Sequence, residues 1–322
     1  MSKEISVNKV FIAAILTSAL LVFITWLLGG RLDTIPHPVD EGAHWYYWQL
    51  GSPTVASRLS AWLGYGLHQM FIWVVLFKAK NEKPHPETVS RFNIAVLLIN
   101  LVFIILHLVQ THIWYDGLAQ DVPIWTSQGS VIVMLVLMLV MLTPRRGFIL
   151  GRKISLPENG KRFLAAFHGI FISWALVYTF WFHPMEGTYG LLSGFFYMYL
   201  LFIQLSLFNT KIHFNMKWLI LLETMVAVHG TLITLQKENP IWPMFLSGFL
   251  FMFVFTYVYG LTKKRSLRIA TLILYVISIA AMYYFRGFDK LYEVSFIPVA
   301  LYGGGLALIL LLKLFVKDKK SQ

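Results

Sequence analysis

Long apolar runs alternate with short polar connections along the whole chain. Each run holds about 20 residues, the length that a helix needs to cross about 30 Å of hydrocarbon. The pattern predicts an all-α, polytopic integral membrane helical bundle of about ten transmembrane helices, which form a single transmembrane domain over residues 1–322. The predicted spans are 9–29, 59–78, 93–114, 127–143, 163–183, 188–208, 217–236, 241–261, 267–285 and 295–315.

The third run carries a line of polar side chains. Asn100, His107 and Thr111 lie seven and four residues apart. Because a helix turns about 100° per residue, these three share one face, with Gln110 beside them. His112 lies about 140° around the helix from His107. Polar groups are costly in lipid, so we expect this face to meet protein, water or a cofactor.

Composition excludes several classes of protein. Hydrophobic residues make up 57% and charged residues 13% of the chain, and the mean hydropathy is +0.66, which is not typical of a soluble globular protein. There is no cysteine, which excludes disulfides, thiolate metal sites and iron–sulfur clusters. The apolar spans therefore leave histidine, glutamate and amide side chains as the candidates for chemistry inside the membrane.

The net charge of +12 is a topology signal. Of the 27 Lys and Arg residues, 22 lie on alternate connections, and the other five are Arg31, Arg58, Lys237, Arg286 and Lys290. This alternation follows the positive-inside rule, so both termini are predicted to be cytoplasmic. We expect a multi-pass protein of a prokaryotic cytoplasmic membrane. The basic residues are expected to contact the anionic headgroups of the lipid bilayer and not nucleic acid.

The histidines predict a haem site. Five of them fall within the predicted spans: His68, His107, His112, His168 and His229. A low-spin b-type haem needs two neutral imidazoles from different helices at matching depth. His107 and His229 are the favoured pair of iron ligands, His68 and His112 are the next candidates, and His168 could ligate an inner haem.

The first functional hypothesis is an electron-transfer subunit of a respiratory chain that holds haem b near the outer half of the membrane. It would exchange electrons with quinol or with a redox protein docked on the outer face, inside a larger complex. Glu223 and Gln110 would handle protons or a quinone. If the protein is an enzyme, it would be a quinol-linked oxidoreductase component.

The alternative is a proton- or cation-coupled transporter that uses the same residues without haem. Glu223 lies about six residues inside the seventh span, where a carboxylate is a functional candidate, and His229, His107 and Gln110 would form a relay. One observation argues against this hypothesis. Broken-helix transporters have Gly or Pro interruptions in the middle of their spans, and the spans of this chain have no conspicuous ones. Glu223 could instead pair with a Gln or with His168, and a non-catalytic assembly subunit is a further possibility.

The first long loop offers a weaker metal site. It contains Asp33, His37, Asp40, Glu41 and His44, but no helix fixes their spacing. The aromatic residues that follow indicate an interfacial belt. We also predict interface anchors at a set of tryptophans: Trp26, Trp45, Trp48, Trp114, Trp125, Trp181 and Trp242.

Small residues and short repeats predict how the helices pack. Gly64 lies one turn below His68 and leaves space for something flat or for another backbone. Ser247-Gly248 and the Gly303–Gly305 run indicate close helix packing. Pro-Ile-Trp recurs at 123–125 and 240–242, each time eleven residues after a histidine, which suggests repeated helical hairpins.

Overall fold

The computed structural model describes residues 5–39, 41, 46–83, 85–236 and 240–315. Within these ranges there are ten helices long and apolar enough to cross a membrane, and there is no β-strand. The all-α prediction is confirmed, and the architecture is consistent with a polytopic helical bundle in a lipid bilayer. Asp40, His44 and Trp45 of the predicted loop lie outside the described residues.

The predicted spans agree with the helices to within five residues at each end. The helices are α1 (Val7–Gly29), α2 (Val55–Lys78), α3 (Arg91–Trp114), α4 (Ile124–Arg146), α5 (Glu158–Phe182), α6 (Tyr189–Ser206), α7 (Met216–Gln236), α8 (Trp242–Met252), α9 (Val258–Leu261), α10 (Arg265–Arg286) and α11 (Phe296–Phe315). A π-helical segment, Phe253–Tyr257, joins α8 to α9, so these three pieces make one span. A 3₁₀ segment, Phe288–Ser295, leads into α11.

The chain folds into two compact units. The first unit contains Met1–Val131 and Gly169–Asn215, and the second contains Ile132–His168 and Met216–Gln322. The division falls within α4 and within α5. A single transmembrane domain over the whole chain stays a prediction, and each unit is described below by itself.

In the first unit, α2 packs along α3, and α6 packs against α1 and α3. The indole of Trp181 from α5 packs directly against Gly64 of α2. A Cβ atom at Gly64 would lie 2.1 Å from that ring, so only glycine leaves room for it. The flat group predicted beside Gly64 is therefore a tryptophan side chain. The prediction that Trp181 anchors the interface is wrong, since only 1% of this residue is exposed.

In the second unit, α8 packs against α7 and α11. A Cβ atom at Gly248 would lie 2.8 Å from Ile297, and one at Gly304 would lie 2.8 Å from Val136. Helix packing predicted from these glycines is confirmed. Bulkier residues here would push the helices of this unit apart, because protein interiors are close-packed.

The π-helical segment in this unit is bonded to a tight turn after α4. The N–H of Leu150 donates to the carbonyl of Phe255 over 2.7 Å, and the hydroxyl of Thr256 donates to the carbonyl of Phe148 over 2.9 Å. Gly147 has a φ of +90°, which a side chain rarely adopts. Irregular backbone within a span is tolerated where protein groups satisfy it. The helix therefore changes from α to π within the span without any Gly or Pro in the π-helical segment, so the sequence pattern does not reveal the change.

Candidate functional site

The polar face predicted on α3 lies inside the first unit. Asn100, His107, Gln110 and Thr111 are all buried. His112 points elsewhere and is half-buried, with Nδ1 2.8 Å from the carbonyl of Leu108. The prediction that this face meets protein rather than lipid is confirmed, and its partners come from α2, α5 and α6.

His68 belongs to a hydrogen-bonded chain whose direction is fixed. The indole N–H of Trp181 donates to Nδ1 of His68 over 3.2 Å, so the neutral ring carries its proton on Nε2. That nitrogen donates to Oδ1 of Asn100 over 2.9 Å. The amide of Asn100 then donates to the hydroxyl of Ser206 over 3.0 Å. Every group in this buried chain has a partner, as low-polarity surroundings require.

His107 has oxygen acceptors at both ring nitrogens. Nε2 lies 2.7 Å from the carbonyl of His183, so this nitrogen carries a proton. Nδ1 lies 3.0 Å from Oε1 of Gln110, whose amide nitrogen donates to the hydroxyl of Ser60 over 3.2 Å. A neutral imidazole has one N–H, so the second bond requires either a protonated ring or a Gln110 amide turned over to present its NH₂. With the Gln110 amide turned over, a neutral His107 donates from Nε2 to the carbonyl of His183 and accepts at Nδ1 from Gln110.

These bonds bear directly on the haem hypothesis. A haem ligand offers a free ring nitrogen to iron. In His68 and in His107 both ring nitrogens are already hydrogen-bonded, and the ring of His68 stacks on Phe103 with centroids 4.6 Å apart. Haem would have to displace a hydrogen bond and an aromatic neighbour at either residue, so the described arrangement does not fit it.

A second cluster in the first unit joins the loops that flank α3 and α6. The hydroxyl of Tyr115 donates to Oε1 of Glu186, and Nε2 of His37 lies 3.0 Å from the same oxygen. Tyr115 caps α3 with a φ of +42°, an uncommon conformation for a residue with a side chain. Tyr46 hydrogen-bonds Nδ1 of His183 over 2.7 Å and so links this region to the carbonyl partner of His107. Sequence spacing gave no signal for Glu186, because its partners come from distant loops.

Burial dominates the electrostatics of this loop cluster. It raises the pKa of Glu186, although the hydrogen bond from Tyr115 and the nearby His37 act in the opposite direction. Burial also raises the pKa of Tyr115, and the adjacent Glu186 carboxylate adds to that effect. The tyrosine therefore stays protonated and serves as a hydrogen-bond donor to the carboxylate.

Asp116 gives a testable pH dependence. Burial raises the pKa of this carboxyl from 3.8 to about 6, against the lowering effects of Ser57 and of the Gly117 N–H. The shift corresponds to about 3 kcal/mol of destabilisation when the folded protein carries the ionised group. This penalty is present above about pH 6 and disappears as the pH falls to about 4. We expect Asp116→Asn to raise the melting temperature in neutral buffer and to match the wild type in acid.

Thermal unfolding in detergent across this pH range measures the effect. Glu87→Gln is the control, because Glu87 is a carboxylate of the same unit whose side chain is 72% exposed and pairs with Lys211 at the surface. An equal gain for Asp116→Asn at acidic and neutral pH would contradict the electrostatic explanation.

The second unit contains a buried ion pair. Arg146, in the last turn of α4, donates through both terminal nitrogens to the carboxylate of Glu223 on α7, with one of these bonds at 2.5 Å. The two side chains are 0% and 1% exposed. The guanidinium also lies over the ring of Tyr257 in the π-helical segment, 4.7 Å from its centroid. The partner of Glu223 is thus Arg146, and the predicted pairing with a Gln or with His168 is wrong.

Arg146 is one of the 22 basic residues that carry the topology signal, and its side chain is buried at the end of α4. Among the described residues its Nε has no hydrogen-bond partner. A buried donor without an acceptor is costly, so this nitrogen is a candidate for binding a ligand.

The remaining predicted site residues lie in the second unit. His229 of α7 is half-buried, and His168 of α5 places Nδ1 3.0 Å from the carbonyls of Leu164 and Ala165. His107 belongs to the first unit, so the predicted haem pair of His107 and His229 draws on both units. Among the described side chains, no group of three His, Asp or Glu residues could hold a metal ion.

Comparisons with known proteins give no assignment. No family model, no curated protein and no solved structure matches the chain.

Proposed function

We propose that the protein is a proton-coupled membrane transporter in which Glu223 carries the proton. Both termini face the cytoplasm of a prokaryotic cell in this proposal, following the distribution of Lys and Arg. The Tyr115–Glu186 cluster then lies on the outer side and the turn after α4 on the inner side.

The buried Arg146–Glu223 pair is the observation that carries the proposal. Ionisable residues within membrane spans are expensive and are found on ion and substrate pathways. The pair lies beside the π-helical segment Phe253–Tyr257, which is hydrogen-bonded to the turn at Leu150. Single π-helical turns within α-helices are frequent at functional sites. Protonation of Glu223 would cancel its charge and release Arg146 from the pair.

The first unit supplies a second buried polar group to the proposal. His107 faces two acceptors, and the bond between Gln110 and its ring depends on which of them carries the hydrogen. His183 and Tyr46 extend this arrangement into the loops. A change of proton occupancy at His107 would therefore be felt at the end of the unit that carries Tyr46.

Haem b, a quinone and a redox partner stay predictions from the sequence. Ligation of haem by His107 or His68 would require each ring to give up a hydrogen bond. A non-catalytic assembly subunit stays the other alternative.

Proton flux into proteoliposomes tests the transporter proposal. The purified protein is reconstituted with a pH-sensitive dye inside the vesicles, and small organic anions, amines and neutral solutes are added in turn. We expect at least one class to drive proton movement in the wild type. We expect none to do so in Glu223→Gln or in the charge-neutral double variant Arg146→Gln/Glu223→Gln.

Glu158→Gln is the matched control, because Glu158 is an exposed glutamate of the same unit and pairs with Lys161 at the surface. It should keep wild-type flux. Wild-type vesicles that move no more protons than empty ones with every solute would contradict the proposal. A reduced-minus-oxidised spectrum with b-type bands that vanish in His107→Ala or His229→Ala would restore the haem hypothesis.

A further inference from the structure

The unpaired Nε of Arg146 indicates the charge of the solute that could bind there. A guanidinium presents its donors as a planar fork that matches an oxyanion. Glu223 occupies the two terminal nitrogens, and Nε points at no acceptor among the described residues. The remaining titratable groups facing the arginine are Tyr257 of the π-helical segment and Tyr302 of α11. Neither is an anion in its ordinary protonated form, so Glu223 alone neutralises Arg146.

Charge balance couples a proton to an anion at this pair. A buried charge needs a partner, and one unpaired charge in this environment is strongly unfavourable. If Glu223 takes a proton from water, Arg146 is left with an uncompensated positive charge. One monovalent anion restores neutrality by accepting hydrogen bonds from the unpaired Nε and from a terminal nitrogen that the carboxylate has vacated. One proton and one anion would then bind together.

A cleft in the same unit indicates the shape of that anion. It has a volume of about 710 Å³, and Phe251, Phe255, Tyr275 and Tyr302 contribute aromatic rings to an almost wholly apolar lining. Pockets of this size hold small organic molecules. The hydroxyl of Tyr302 donates to Thr256 over 2.6 Å, and Thr256 adjoins the tyrosine that lies over Arg146. Arg146 and Glu223 do not themselves line the cleft, and the hydrogen-bonded Tyr302 and Thr256 lie between it and the tyrosine over Arg146.

We infer that the transported solute is a monovalent organic anion with an apolar body, whose oxyanion binds Arg146 when Glu223 is protonated. The statement that the anion is transported rests on the proposed function. The binding site itself is argued from the geometry of the second unit. The apolar body occupies the cleft beside Tyr302, and the oxyanion replaces the carboxylate of Glu223 on the guanidinium. Release of the proton restores the ion pair and expels the anion.

Three probes of one size and different charge test the inference: benzoate, benzamide and benzylamine. Binding is measured as the rise in melting temperature of the full-length protein in detergent, in mildly acidic and mildly alkaline buffer. We expect benzoate alone to stabilise the wild type. Its apparent affinity should fall with rising pH by up to about tenfold per unit, the limit for one coupled proton. Inorganic phosphate, which lacks an apolar body, should have no effect.

The variants separate this site from a purely structural ion pair. Glu223→Gln leaves Arg146 without its partner, so benzoate should bind it at both pH values and stabilise it more than the wild type. Arg146→Gln/Glu223→Gln lacks the cation and should not respond. No response of Glu223→Gln to benzoate, or an equal response to benzamide or benzylamine, would overturn the inference.

The binding and flux experiments fail independently. Proton flux driven only by amines would leave transport standing and overturn the anion inference. Benzoate binding with the expected pH dependence, in vesicles that move no protons, would support the Arg146 site and contradict the transport function.

Discussion

Glu223→Gln is expected to lower the free energy of unfolding by about 3–5 kcal/mol, because it leaves the charge of Arg146 buried and uncompensated. Arg146→Gln should lower the free energy of unfolding by a similar amount, because it leaves the carboxylate of Glu223 buried without its partner. The two side chains are almost completely enclosed, so solvent does not screen either charge. Unfolding in mixed detergent–SDS micelles at neutral pH measures both variants.

The double variant Arg146→Gln/Glu223→Gln decides whether the effect comes from the pair. It removes both charges at nearly constant volume, so its loss should be much smaller than the sum of the single losses. The control cycle uses Arg58 and Asp121, a pair in the first unit whose side chains are 49% and 25% exposed. Its coupling should stay within about 1 kcal/mol. Additive losses at Arg146 and Glu223 would contradict a direct ion pair.

The hydropathy pattern predicts the helices well, because the bilayer sets their length. A run of about 20 apolar residues leaves few alternatives to a helix. The ends of α1, α3 and α7 agree with the predicted spans to within two residues. The polar face of α3 was also predictable, since Asn100 and His107 lie two helical turns apart and both are costly in lipid.

The ion pair was not predictable, because its members are 77 residues apart in sequence. Arg146 adjoins Arg145 at the end of an apolar run, and local charge therefore assigned it to a basic loop. Arg146 is buried because it pairs with Glu223 on another helix. The sequence around an intramembrane carboxylate does not identify the residue that pairs with it. The Gly147 and Gly151 pair after Arg146 indicates a turn, and both have positive φ there, but it gives no signal for Glu223.

The π-helical segment itself leaves no local signal. Phe253–Tyr257 contains neither Gly nor Pro and continues the apolar run of α8. The carbonyl of Phe255 in this segment accepts a hydrogen bond from Leu150, which lies in a turn distant in sequence. Likewise, the intramembrane histidines suggested metal ligation because hydrogen-bond partners such as Trp181 cannot be assigned from spacing.

Trp181→Ala should have the second large effect, on the first unit. The indole is almost fully buried against Gly64, so its removal leaves a cavity and should lower the free energy of unfolding by about 3–5 kcal/mol. It also removes the donor to Nδ1 of His68. Trp181→Phe keeps most of the volume and should lose about 1–3 kcal/mol for that unsatisfied nitrogen. Trp125→Ala is the control, because Trp125 is 68% exposed and should matter little.

Added indole separates a specific cavity from general disruption in Trp181→Ala. The slot between Gly64 and His68 is shaped by a flat ring, so free indole should enter it and raise the melting temperature of this variant. The wild type and Trp125→Ala have no such space and should not respond. Gly64→Ala should be destabilised and insensitive to indole, since a Cβ atom there would occupy the position of the ring. Two results would contradict this explanation: no stabilisation of Trp181→Ala by indole, or a Gly64→Ala variant as stable as the wild type. Either would show that the contact between Gly64 and Trp181 does not hold His68 in place.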